Sequence, residues 1–413
     1  MILVPKARPL NVLIFEPHAE GHHGPYLKWM AEALAEQSWV VTVVTGHAAL
    51  EHPSVSELAK KGRAYSIGVL TDSVLRGLQA PNGLGDLVSR EFWYWRLFRR
   101  WYGKYRPIAK PSLVFLPYLD YCLYATGILG SPFGEAPWIG VTMRPSFHYK
   151  RVGVDAPKPA LATVKETLFR RLLEGKQLRS LLTLDETLAA YVCQKRLHGG
   201  KKVTFLPEPY DSERSISSDA ARRLLQLDPA RRLVLLYGSL TRRKGVVELL
   251  RAVAHPEFPQ SVDVLLAGKI ADGLNATLAE DWVQTLFRRR RVAAINRFIS
   301  SSEEEQLFAA SDIVWLGYLN HYTPSGVLAL AARAKRPVIA CKEGVIGWQT
   351  ERHQLGLTVR PDSVQEVIAA VRALAQGPFF EQGSAGDSRR FFARHTKDEA
   401  VAVLSNVFLR SVA

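Results

Sequence analysis

Apolar runs and amphipathic segments alternate along almost the whole chain. NVLIFEP (11–17) is a short apolar run, PYLKWMAEALAEQ (25–37) carries helical spacing, and WVVTVVTG (39–46) is β-branched and closes on glycine. This order predicts a βαβ unit with parallel strands and a right-handed crossover. Further strands are predicted within 112–117, 138–143, 180–185 and 202–209. After a charged, polar stretch at 208–230 the pattern restarts. A strand at 232–238 leads into a helix at 246–254, and strands follow within 262–268, 292–298, 312–318 and 336–341. The fold class is therefore α/β, with two Rossmann-like domains facing each other across a cleft. The expected boundaries are 1–207, 208–388 and a C-terminal helix, 389–413, packing across both domains. Open parallel sheets bind ligands beyond the carboxyl ends of their strands, where strand order reverses, so the informative residues should lie in loops just after strands.

Composition narrows the setting. A chain of 413 residues, 47% hydrophobic and 23% charged, suits two globular domains. Its three cysteines are far apart and form neither a disulfide framework nor a zinc motif, which fits a reducing compartment. No apolar run reaches the ~20 residues of a membrane span, and the N-terminus lacks the small-residue cleavage region of a signal peptide. The expected location is cytoplasmic, with the inner face of the membrane as a peripheral site. A net charge of +15 calls for an anionic partner: nucleic acid, acidic lipid or a phosphorylated substrate. The basic clusters are scattered over 93–106, 169–179, 241–245 and 287–292, which favours solvated faces or substrate steering over a nucleic-acid site. In FWYWRLFRRWYGKYR (92–106) aromatic and basic residues interleave at helical spacing. Such a helix can cover a core while its arginines reach water, or lie in an anionic membrane interface.

The loop after the first strand, EPHAEGHHGPYL (16–27), sets His22 and His23 between Gly21 and Gly24. Glycines there let a ligand approach the backbone, and the following helix start offers free N–H groups. Adjacent histidines point apart and make a poor metal pair, so substrate contact or a plain structural loop are the readings. In YGSLTRRKG, Gly238 ends a strand and Arg242, Arg243 and Lys244 precede a helix. Cations beside backbone donors suit a diphosphate leaving group, on which charge develops as its bond breaks; a solvated face is the alternative. In HYTPSGVLALAARA, Ser325 is placed to cap a helix beginning at Gly326. VTMRPSFHYKR (141–151) offers His148 and Arg144 after a strand, and Asp120 in LPYLD reads as a helix cap.

Taken in order, these pieces resemble the GT-B glycosyltransferases of the family-4 type. The resemblance rests on Gly21 and Gly24, Gly238 with Lys244–Gly245, ISSSEEEQLFAASDIVWLGY (299–318), SGVLALAARAKRPVIA, GVIGW (344–348) and GLTVRPDSVQEVIAAV (356–371). It implies transfer of a sugar from a nucleotide-diphosphate donor to an acceptor hydroxyl, on a glycan, a lipid-linked or a small molecule, with retention and with no metal or other cofactor required. By position it carries Gly24 to the acceptor loop, Lys244 to the donor diphosphate and Ser325 with Gly326 to the phosphate-facing helix start, and Gly21, His22 and His23 are expected to bind the acceptor beside Gly24. Gly238 and Arg243 are expected beside Lys244 at the donor diphosphate, and His148 with Arg144 at the catalytic centre. The family's two donor-site glutamates, with seven residues between them, are replaced by Tyr322 and Leu330, so these two and Thr323 border the nucleoside and sugar. A charged hydrogen bond to ribose contributes ~1.5–3 kcal/mol, roughly 10- to 100-fold in affinity. Its loss predicts atypical donor recognition, or an inactive descendant that binds a glycan or nucleotide.

Overall fold

The computed structural model describes residues 10–61, 66–72, 86–210, 216–377, 379–381 and 387–412. They form two compact units. The first takes the chain up to His148, Lys158–Leu206 and the chain from Ala400; the second takes Tyr149–Pro157 and Pro207–Glu399.

In the first unit, β1 (Asn11–Glu16), α1 (His23–Glu36), β2 (Val40–Gly46), α2 (Pro53–Lys61) and β3 (Ile67–Asp72) are followed by the long α3 (Asp86–Ala109). Then come β4 (Leu113–Leu116), α4 (Leu123–Leu129), β5 (Trp138–Thr142), α5 (Ala162–Glu174), β6 (Leu178–Thr183), α6 (Glu186–Gln194) and β7 (Val203–Phe205). The seven strands are parallel, in the order β3-β2-β1-β4-β5-β6-β7. Every residue of β4 and β5 is buried, as expected of strands covered on both faces. β3 is the strand of this sheet that the hydrophobic pattern does not predict, as β13 (Gly356–Val359) is of the second. β3 lies at the sheet edge, where half-exposed positions break up any apolar run.

α3 turns its aromatic residues inward. Phe98 and Trp101 are fully buried against Phe15, with ring centroids 6.2 and 5.8 Å away, while Arg96, Arg99 and Arg100 stay exposed. The aromatic face of this basic helix therefore belongs to the core. The tail, expected as one helix, is two: α15 (Asp387–Arg394) and α16 (Lys397–Val412). Ala400, Leu404, Val407 and Phe408 of α16 join the first core, where Phe408 meets Trp39 and Phe115 edge-on at 5.5 and 5.0 Å.

The second unit runs α7 (Ser218–Leu224), β8 (Arg232–Tyr237), α8 (Val246–Ala254), β9 (Val262–Ala267), α9 (Asn275–Leu278), α10 (Asp281–Arg288), β10 (Val292–Ile295) and α11 (Ser301–Ala310). It continues through β11 (Ile313–Leu316), α12 (Gly326–Arg333), β12 (Val338–Cys341), α13 (Gly344–Arg352), β13 (Gly356–Val359) and α14 (Val364–Ala375) to α15. Its parallel sheet has the order β10-β9-β8-β11-β12-β13. Tyr149–Pro157 also packs here: Tyr149, Val154 and Ala156 cluster with Val345, and Trp348 Nε1 donates to the Val152 carbonyl at 3.1 Å.

Two glycines of the first unit give opposite expectations for one substitution. A Cβ on Gly127 of α4 would sit 2.3 Å from the Leu168 carbonyl oxygen of α5, whereas a Cβ on Gly103, exposed on α3, would meet nothing within 4 Å. Gly127→Ala should lower stability by about 1–3 kcal/mol through overpacking. Gly103→Ala should raise it by about 0.5–1 kcal/mol through helix propensity and lost unfolded-state freedom. Urea titration of the first unit's transition checks both; equal shifts would contradict this packing of α4 on α5.

Candidate functional site

Strand order reverses at β1 and β4 in the first unit, and the loops leaving these two strands line one cavity. It measures about 420 Å³ and is bordered by His18, His22, His23, Tyr118, Tyr121 and Arg144, with Glu20, Gly21, Arg90, Tyr94 and Asp120 completing the wall. Glu16, buried at the end of β1, organises the loop. Its carboxylate accepts from the His18 amide at 3.2 Å and from Tyr121 Oη at 2.8 Å, and it lies 3.3 Å from His23 Nδ1. His18 Nε2 and Tyr94 Oη are 2.8 Å apart. His22 stacks on His23 at 4.6 Å, His23 stands edge-on to Tyr118 at 4.5 Å, and the Arg144 guanidinium lies 5.3 Å from the Tyr118 ring. Loss of hydration, then the charges of His23 and Arg144, push His22 down to about 4, so its ring is neutral at physiological pH. The result is an aromatic-walled pocket with a few fixed polar groups, suited to a polyhydroxylated ligand whose C–H faces stack on rings.

The second unit reverses at β8 and β11. Lys244, between β8 and α8, is only 8% exposed; its Nζ donates to the Tyr237 carbonyl at 2.6 Å and lies 5.1 Å from the Tyr318 ring. Burial, then the neighbouring Arg243 charge, lower its pKa to about 8. Gly238 makes the room: φ is +101°, and a Cβ there would come 2.7 Å from Lys244 Nζ. Arg243 reaches into the loop after β11, where its Nη1 lies 2.6 Å from His321 Nδ1 and its carbonyl accepts from the Leu319 amide at 2.7 Å. Burial first, and Arg243 second, hold His321 down to about 4, leaving it neutral and able to accept from the guanidinium. Ser325 caps α12, its Oγ accepting from the Val327 amide at 3.3 Å, and Tyr210 Oη donates to the Gly326 carbonyl at 2.9 Å. Two cations thus stand at the same strand ends as a helix start.

Several expectations need correcting in detail. Gly21, His22, His23 and Arg144 share the first cavity, but Gly24 does not line it. Its bare Cα is required by packing, since a Cβ would lie 2.6 Å from the His52 ring. His148 has no exposed surface: Nε2 sits 2.9 Å from Thr187 Oγ1 and 3.5 Å from Asp185 Oδ2, the carboxylate that caps α6. It pins its loop to the start of α6 and meets no solvent-borne ligand there. Asp120 is not a helix cap. It accepts from Thr142 Oγ1 at 2.6 Å and the Met143 amide at 2.7 Å, while the first amides of α4, Tyr124 and Ala125, donate to Glu91 at 2.8 and 2.9 Å. Arg242 lines a separate cavity with Arg251 and Trp282, leaving Arg243 as the arginine that reaches from the loop after β8 to the loop after β11. Leu330 is buried in the core, Tyr322 packs beside Val345 and Trp348, and Thr323 Oγ1 is 3.4 Å from His321 Nε2. The sequence reading missed Glu16, Tyr94, Tyr118, Tyr121 and His321. The two tyrosines of LPYLDY directly follow a predicted strand, and that position could have singled them out.

No family model matches the sequence. A stretch of 160 residues is 29% identical to glycogen synthase of Mycobacterium tuberculosis, covering 36% of this chain and 38% of that protein, so the match spans little more than a third of the curated relative. Among solved structures, sucrose-phosphate synthase from Thermosynechococcus elongatus is similar over 98% of this chain and 99% of its own, with a TM-score of 0.69 at 18% identity. Anabaena HepE in complex with UDP is similar over 98% and 99%, at 0.63 and 14% identity. WaaG, a glycosyltransferase involved in lipopolysaccharide biosynthesis, covers 96% and 99%, at 0.59 and 15%. Paired parallel sheets of seven and six strands, matched over nearly the full length of these GT-B enzymes, show that the chain has the GT-B fold.

Proposed function

We propose that the chain is a glycosyltransferase that moves a sugar from a nucleoside-diphosphate sugar to an acceptor hydroxyl. The observation that carries this reading is Lys244, a buried cation at the strand-order reversal of the second unit, held by the Tyr237 carbonyl and beside the Tyr318 ring and the Arg243 charge. In the proposed reaction the acceptor oxygen bonds to the anomeric carbon as the bond from that carbon to the diphosphate breaks. The acceptor proton leaves with the departing phosphate, and the anomeric configuration is retained. Lys244, Arg243 and the Ser325–Gly326 helix start stabilise the charge that develops on the diphosphate. Tyr118, Tyr121, His22, His23 and Arg144 hold the acceptor, and no other cofactor takes part. HepE, solved with UDP and with UDP-glucose, supports a uridine nucleotide as the donor to try first.

A second reading, a GT-B protein that binds without turnover, draws on Leu330. Its side chain is committed to the core at the position where the resemblance expects a ribose carboxylate.

Calorimetric titration with UDP from pH 7 to 10 tests the cation. Lys244 holds its charge below about pH 8 and loses it above. UDP affinity should therefore be flat below that pH and fall about tenfold per unit above it. Lys244→Met should weaken binding about 10- to 100-fold at pH 7 and abolish the slope. A wild-type affinity that ignores pH across this range would remove Lys244 from the donor site.

Turnover separates the two readings. Incubation with UDP-sugars and a panel of acceptors should release UDP and yield a glycoside whose anomeric proton reports retention by NMR. Tight UDP binding with no release under any pairing would establish the binding protein in its place.

A further inference from the structure

The first unit holds a second cavity, of about 380 Å³, that shares Arg90, Asp120 and Arg144 with the aromatic pocket. Its character is different. Phe92, Leu123, Ile128, Leu161, Val164 and Leu168 give it apolar walls between α3, α4 and α5. Ile128, Leu161 and Val164 are 51%, 68% and 50% exposed, and with Leu129 they make up four of the eight large apolar side chains left exposed among the described residues. A surface that scatters its apolar residues singly does not gather three of these eight, Ile128, Leu161 and Val164, around one opening. Leu161 is also held at φ +57°, a left-handed conformation unfavourable to leucine, and its exposed side chain gains little packing in return.

The rim supplies the second observation. Arg90, Arg144 and Lys165 line the opening, and the two acids beside them are already engaged by the protein's own donors: Asp120 by Thr142 and the Met143 amide, Glu91 by the Tyr124 and Ala125 amides. The opening therefore presents positive charge next to hydrocarbon. Arg90 and Arg144 stand where the apolar cavity meets the aromatic one.

We propose that the acceptor is an amphiphile whose hydrocarbon tail lies in this groove, whose phosphate meets Arg90 and Arg144, and whose hydroxylated head occupies the aromatic pocket. This assignment rests on the transferase reading above and gives its acceptor a chemical class.

The test is calorimetric titration of the intact chain with inorganic phosphate and with hexyl, octyl and decyl phosphate below their micelle concentrations. Affinity should rise about fourfold per added methylene, the factor that ~0.8 kcal/mol per buried CH₂ corresponds to. Ile128→Glu and Val164→Glu alter exposed side chains, and circular dichroism should show both folded. Each should flatten the series and weaken decyl phosphate at least tenfold. Phe298→Glu, at an exposed apolar residue of the second unit, should change nothing. An affinity independent of chain length would overturn the proposal, as would a dependence that the groove variants leave intact. Binding confined to anionic phospholipid vesicles would assign the patch to a membrane surface and also overturn it. Equal affinity for octanol and octyl phosphate would overturn its anionic half. UDP titrated into the same samples keeps the two readings apart. Loss of alkyl phosphate binding alone sinks the amphiphile, and loss of UDP binding alone sinks the transferase.

Discussion

Each sheet is organised by one strand that pairs on both sides with partners lying on opposite sequence paths. β1 pairs with β2 and with β4; β8 pairs with β9 and with β11. Because parallel strands need right-handed crossovers, the connections leaving the two sides of such a pair depart to opposite faces of the sheet, and their loops separate. The strands themselves are covered on both faces and carry apolar side chains almost throughout. Polar groups therefore collect at the carboxyl ends beside the reversal. This one constraint brings the loop after β1 beside Tyr118 and Tyr121, and Arg243 beside His321.

The same constraint explains what the sequence made legible. Strands buried on both faces are written as continuous apolar runs, so β1, β2, β4, β5, β8, β9, β11 and β12 could be read directly. β3 and β13 could not, because most of their positions are only half-buried and write no continuous apolar run. Site residues were legible in proportion to how far backbone geometry fixes them. Gly238 and Lys244 follow a strand, and their pairing is local. His148 was the opposite case: a histidine after a strand looks available, and only the three-dimensional packing against Thr187 and Asp185 removes it. Gly24 looked permissive for a ligand, yet the close neighbour is His52, a residue that no local pattern connects to it.

Lys244 gives the proposed anion site of the second unit its physical basis. Taking an ammonium group out of water carries a penalty that one carbonyl and one aromatic face offset only in part, and with the neighbouring Arg243 charge it lowers the pKa. A phosphate at Nζ would supply the missing counter-charge in a medium of reduced dielectric, where the attraction is stronger than at an exposed lysine. Arg243 differs in kind. Its fork is partly spent on His321, which directs the guanidinium, and its charge reinforces whatever sits at the start of α12. A ribose carboxylate at the position of Leu330 would have added selectivity for the nucleoside, but the diphosphate interaction does not depend on it.

Histidines dominate the candidate loops, yet they do not set the charge there. His22 and His321 are both held to about 4, and burial lowers His18 as well. His22 and His321 are neutral across the physiological range, and all three serve as rings and hydrogen-bond partners. The charge of each site then comes from arginine and lysine, and of these Lys244 alone has a pKa brought down toward neutrality at the two strand reversals. The proposed donor contact at Lys244 would therefore keep its charge below about pH 8 and lose it above. In the first unit burial pushes Glu91, beside the adjoining apolar cavity, up to about 7, while the aromatic pocket itself offers rings and fixed hydrogen-bond partners. A neutral hydroxylated ligand needs just that, and a diphosphate would find there only the arginines at the rim.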